Sequence, residues 1–156
     1  MNREEYKDNV FYVCTLIEYI ARKTKNHRQD VVKHFTTSDI LHQLEAAPMN
    51  HCLSLEQVSD EVIEDYHITE GTFDTVKECR YQVPSETAIG RVYQALVLSL
   101  YADNYAQGIL DVFASFISDE ISDFNSNVYY SNPDYLKYSS PRISTNLGLT
   151  PVLLSM

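Results

Sequence analysis

The residues PSETAIGRVYQALVLSLY at 84–101 constrain this chain more than any other stretch. Ala88, Ile89, Val92, Tyr93, Leu96, Val97 and Leu100 recur at steps of three and four, which places them on one broad helical face. Ser85 has a hydroxyl suited to accept a first-turn amide hydrogen, and Pro84 before it cannot extend an earlier helix. Leu98 adds a second apolar edge, so this helix is expected to be enclosed rather than superficial. Gly90 is the one local conflict. Glycine costs about 1 kcal/mol inside a helix relative to alanine, and its place here predicts a close helix crossing.

The same periodicity runs on both sides. Residues 3–25 read as a long helix with Tyr6, Val10, Val13, Cys14, Ile17, Ile20 and Ala21 inward, widened by Phe11, Tyr12 and Leu16. Acids near its start and Arg22, Lys23 and Lys25 near its end suit the helix dipole. Asn26 precedes Gln29 by three residues and predicts a capping box opening a short helix to about Phe35. A further helix is expected over 39–46, capped from 36–38 and stopped by Pro48, with 46–54 as a connection. Ser54 and Gln57 then form a capping-box pattern for a helix to about Tyr66. Gly71 and Thr72 interrupt the pattern, 73–79 holds one or two helical turns, and 81–84 is extended. A second long helix is expected over 105–124, from Ile109, Leu110, Phe113, Phe116, Ile117, Ile121 and Phe124. The short link between 101 and 105 makes the two long helices an antiparallel hairpin. Asn132 and Pro133 predict a short last helix to Tyr138.

These readings define an all-α fold: one domain over 1–140, a helical bundle of five to seven helices around the hairpin 85–101 and 105–124, with an irregular tail at 141–156. At 156 residues the chain is long enough to bury one sizeable core. Its net charge of −10 is uneven, since residues 1–33 hold seven of the twelve Lys and Arg. The acidic remainder repels nucleic-acid phosphates and anionic membrane surfaces and suits a basic protein partner, a cation or, most simply, solubility. No apolar run approaches the roughly 20 residues a membrane span needs. Three unevenly spaced cysteines and the absence of a basic-then-apolar leader predict a cytoplasmic protein without a disulfide framework.

No glycine-rich dinucleotide or phosphate loop, HExxH, GxSxG or CxxC occurs. The spacing of His51 and Cys52 relative to His42, His67 and Cys79 matches no recurrent zinc site, so neither a metal nor another cofactor is expected. Asp119 and Asp123 lie one turn apart and share a face, which could hold a cation or form an acid–base pair. Tyr129, Tyr130, Tyr135 and Tyr138 cluster beside Asn125 and Asn127. Tyrosine offers contact area with a polar tip at low entropy cost, so these six residues are candidates for an interface.

PSETAIGRVYQALVLSL followed by SDEISDFNSNVYYSNPDYL resembles a group of small bacterial proteins of unknown function. They share an Ile-Gly-x-Val-Tyr helix, an Ile-x-x-Phe/Tyr-Asn segment and an aromatic Asn/Ser-Pro-x-Tyr turn. Residues 11–66 are similar to a related short domain with a central histidine, matched here by His51. Such domains are often encoded beside proteins resembling ADP-ribosyltransferases, so the resemblance implies an accessory or antitoxin-like role and carries no activity.

The function expected is therefore non-enzymatic protein interaction, through a partner or self-association, with neither nucleic acid nor membrane involved. The alternative is a small enzyme or ligand-binding domain using His51 with Asp119 and Asp123, which requires those side chains to converge on one pocket.

Overall fold

The longest helix begins with a reciprocal cap. The Glu5 backbone N–H donates to Asn2 Oδ1 at 2.9 Å, and the Asn2 N–H donates to the Glu5 carboxylate at 3.1 Å. The structure, a computed structural model, describes residues 2–101 and 103–126. Asn127, Tyr129, Tyr130, Tyr135 and Tyr138, the helix expected near 133–138 and the 141–156 tail lie outside the described residues. Helix α1 spans Arg3–Thr24 and ends where Lys25 takes a left-handed φ of 56°. There the Lys25 N–H bonds Arg22 O and the Asn26 N–H bonds Ala21 O, closing the last turn.

Seven further helices follow among the described residues: α2 Arg28–Val32, α3 Thr37–Asn50, α4 Leu55–Asp65, α5 Thr75–Glu78, α6 Glu86–Leu100, α7 Tyr105–Ala114 and α8 Ile117–Ser122. No strand occurs among the described residues, so the fold is an all-α bundle. Ser85 caps α6 by accepting from the Ala88 N–H at 3.0 Å, and Ile89, Tyr93, Leu96 and Val97 are wholly buried along it. Each such side chain contributes about 1.5–3 kcal/mol of burial.

α1 and α6 form the most extensive helix pair. They run antiparallel: Gln94 donates to Lys7 O, Arg91 lies over the Phe11 ring, and Gly90 faces Thr15. A Cβ on Gly90 would lie 3.1 Å from Thr15 Cβ and 3.2 Å from Thr15 Cα, so the close crossing expected at this glycine is present. The hairpin of α6 with α7 also forms, with Tyr93 stacked on Phe113 at 3.9 Å. It is the lesser pair, and α1 supplies the larger share of the cover on α6.

Four expectations are corrected. Eight helices occur among the described residues where five to seven were expected, partly because the helix expected over 105–124 is two. Ser115 is extended, with ψ 163°, and serine hydroxyls take up the carbonyls the break releases: Ser115 Oγ donates to Val112 O and Ser118 Oγ to Ser115 O. Pro48 does not stop α3, which runs on to Asn50. In the last turn, Pro48 removes only one amide donor, and the ladder resumes when the His51 N–H reaches Ala47 O at 2.9 Å. Asn26 caps nothing, and the N-cap position of α2 is His27. The Asn26 amide instead donates to Thr24 Oγ1 and to Thr69 O, pinning the 69–73 segment to the end of α1.

Candidate functional site

Two concavities and a buried charge network between helices carry the polar chemistry of the described residues. The larger is a groove of about 620 Å³ floored by α1 and walled by α6 on one side and the end of α3 on the other. Glu5, Asp8, Asn9, Tyr12 and Thr15 form the floor, at the three- and four-residue steps of one helical face. Thr87 and Arg91 stand on the α6 wall, with Phe11 of α1 beside them. Ala47, Pro48, His51, Leu53 and Leu55 make the other wall. Leu53 on this wall is 41% exposed, whereas Met49, 79% exposed, does not line the groove. Tyr12 is 8% exposed, and its hydroxyl has no hydrogen-bond partner. Burial pushes its pKa above the ordinary tyrosine value.

The second concavity is a cleft of about 340 Å³ where α2, α5 and α8 meet, lined by His27, Phe73, Asp74, Thr75, Glu78, Asp119, Ser122, Asp123, Phe124 and Asn125. His27 Nδ1 lies 2.8 Å from Asp119 Oδ1, and the ring stacks on Phe73 at 3.7 Å. Gln29 Nε2 donates to the second Asp119 oxygen at 3.3 Å, so both carboxylate oxygens are engaged. Asp119 thereby fixes the imidazole and ties α2 to α8.

Beneath this cleft lies an ion network almost withdrawn from solvent, whose outer edge is Arg22 Nη1 at 3.6 Å from the part-exposed Glu86. Arg28 and Glu18 are both fully buried. Arg28 Nε donates to Glu18 Oε1 at 2.9 Å and its Nη2 to Oε2 at 2.5 Å, while Arg22 Nε donates to Oε2 at 2.8 Å. Arg28 also reaches Thr75 Oγ1. Burial works against the Arg28 charge, but Glu18 outweighs it and the guanidinium pKa lies above its ordinary value. Two cations share one buried carboxylate, and the Arg22 side chain lies over the Phe124 ring with its Nη2 unpartnered.

The residues singled out in the sequence are divided between these places. His51 lies on the groove wall as the C-cap of α3, whereas Asp119 and Asp123 line the cleft. The two concavities share no residue, so the three side chains do not converge. Asn125 is occupied internally: its Oδ1 accepts from the Arg80 N–H at 2.7 Å and its Nδ2 donates to Glu78 O at 2.9 Å. Among the described residues no three His, Cys, Asp or Glu side chains are grouped as a metal ion requires, and no helix is long and apolar enough to cross a membrane.

Sequence reasoning missed Tyr12, His27, Glu18 and Arg28. A signal existed for Glu18, an acid set among Leu16, Ile17 and Ile20 on the apolar side of a helix. None existed for His27, whose partner is 92 residues away. Comparison of the chain with family models, with curated proteins and with solved structures finds no match.

Proposed function

We propose that this protein is a non-enzymatic interaction module, of an accessory or antitoxin-like kind, that docks a partner protein in the groove between α1, α3 and α6. The observation that carries the reading is the pairing of that groove with Leu53, a large apolar side chain left 41% exposed on its wall beside Ala47, Pro48 and Leu55. Exposed apolar surface bordering a concavity is what a docking protein needs and what an isolated domain avoids. The acidic balance of the chain adds selectivity for a basic partner. His51 lines a different concavity from Asp119 and Asp123, which supports the interaction reading over the enzymatic alternative.

Site-specific photo-crosslinking in the native host tests this. A photoreactive residue at position 53 on the groove wall is expected to give a discrete crosslinked species, and one at Glu64 on the exposed side of α4 is not. Equal background at both positions, with no stoichiometric partner on co-purification and no self-association, refutes the reading.

A further inference from the structure

The interaction reading leaves open what kind of segment the groove accepts, and the groove's own chemistry narrows it. Its floor runs along α1 from Glu5 to Thr15, ten residues at 1.5 Å each, or about 15 Å. That length matches about three turns of a helix. The walls are helical apart from the 51–54 turn that carries Leu53, and no strand edge exists among the described residues. An extended segment laid here would find no ladder for its backbone N–H and C=O groups, whereas a helix satisfies its own.

The charges are equally directional. Glu5 and Asp8 line the groove, and Asp8 is exposed without an ion-pair or hydrogen-bond partner among the described residues. The one Lys or Arg among the lining residues, Arg91, is held 3.7 Å over the Phe11 ring. Asp8 and Tyr12 stand one turn apart on the same face. The Tyr12 hydroxyl is withdrawn from water and unpaired, so its desolvation is already spent and a partner atom regains a whole hydrogen bond. This orphaned hydroxyl is an observation independent of the acids.

Building on the interaction reading, we propose that the groove takes a short amphipathic helix of a partner protein, carrying a Lys or Arg that bridges the Asp8 carboxylate and the Tyr12 hydroxyl. Its apolar face packs on Ala47, Pro48, Leu53 and Leu55. The ammonium or guanidinium is neutralised by Asp8 and donates to Tyr12 Oη once the ring turns that solvent-inaccessible atom toward the groove. Glu5, one turn before, repels an acidic helix and extends the preference for positive charge.

The test uses the full chain and a displayed library of random peptides of about fourteen residues, enough for the turns the groove spans. Enriched peptides are expected to repeat apolar residues at steps of three and four with at least one Lys or Arg. Their NMR shift perturbations are expected to cluster at Tyr12, His51, Leu53 and Arg91. Asp8→Lys should weaken them at least tenfold. Tyr12→Phe should weaken them about tenfold while leaving thermal stability unchanged or raised, a combination that a purely packing role for Tyr12 does not produce. Enrichment of acidic or alternating sequences, shifts outside the groove, full affinity in Tyr12→Phe, or no binder at all overturns the inference. Crosslinks from position 53 without such binders would leave the interaction reading standing and remove only the basic helix. Absence of both removes both.

Discussion

Replacing Glu18 by glutamine keeps the shape of the buried network and removes its one fully buried anion, leaving the part-exposed Glu86 3.6 Å from Arg22 Nη1. Three charge-assisted hydrogen bonds converge on that carboxylate, at 2.9, 2.5 and 2.8 Å. The side chains donating them are 0% exposed for Arg28 and 7% for Arg22. Water therefore cannot take over when the negative charge goes, and two guanidinium groups remain close together in a medium that screens them poorly. Removing one partner of a buried pair costs about 3–5 kcal/mol, against a total stability of about 5–15 kcal/mol for a domain of this size. With a urea slope of about 2 kcal/mol per molar, the unfolding midpoint should fall by about 2 M. Equilibrium urea denaturation followed by circular dichroism measures this directly. A combined Glu18→Leu, Arg22→Leu, Arg28→Met variant should recover most of the loss, because no buried charge is left unpaired. If Glu18→Gln stays within about 1 kcal/mol of the parent at an unchanged slope, the network is solvated and this reasoning fails.

Three other outcomes follow from single contacts. Gly90→Ala should lose about 1 kcal/mol net, because crowding against the Thr15 backbone outweighs the helix propensity gained; a variant more stable than the parent in thermal unfolding contradicts the close crossing. Asp39 is held below the ordinary carboxylate range, by the Thr36 backbone N–H first and then by side chains including the Tyr66 hydroxyl. A depressed native pKa gives stability that is present above the unfolded value and is lost as pH falls through the native one. Asp39→Ala should thus cost about 0.5 kcal/mol at pH 7, discounted for partial exposure, and nothing by about pH 2; a pH-independent difference contradicts the cap. Cys14 is fully buried with its thiol pKa pushed far up by desolvation, whereas Cys52 is exposed. A disulfide reagent at pH 8 should therefore modify Cys52 in the native protein and reach Cys14 only on unfolding, and rapid native reaction at Cys14 would refute that packing.

What was legible in the sequence was local. The α6 face, its Ser85 cap and the meaning of Gly90 depend on residues within a few positions of each other or on one unambiguous misfit, and they hold in the structure. The interruption at Ser115 was hidden because Phe113, Phe116 and Ile117 continue an apolar pattern that does not register where the backbone changes direction. Pro48 misled because its damage depends on distance from the helix end, which the residue itself does not reveal. The sites were less legible still. Tyr12 reads as core because it is core, and only three-dimensional packing shows that its hydroxyl lacks a partner. His27 joins Asp119 across most of the chain, and Arg28 finds Glu18 by folding back onto the preceding helix.

The antiparallel pairing of α1 with α6 also has a consequence in time. α1 is synthesised well before its main partner α6, so the part of its apolar face that α6 covers waits while the intervening helices are made. At the usual 5–20 residues per second that wait is on the order of ten seconds. The closure joins positions far apart in sequence, which slows folding relative to a bundle of consecutive hairpins. A truncated chain ending before α6 would present α1 as a sticky amphipathic surface, and the newborn protein passes through that state each time it is made.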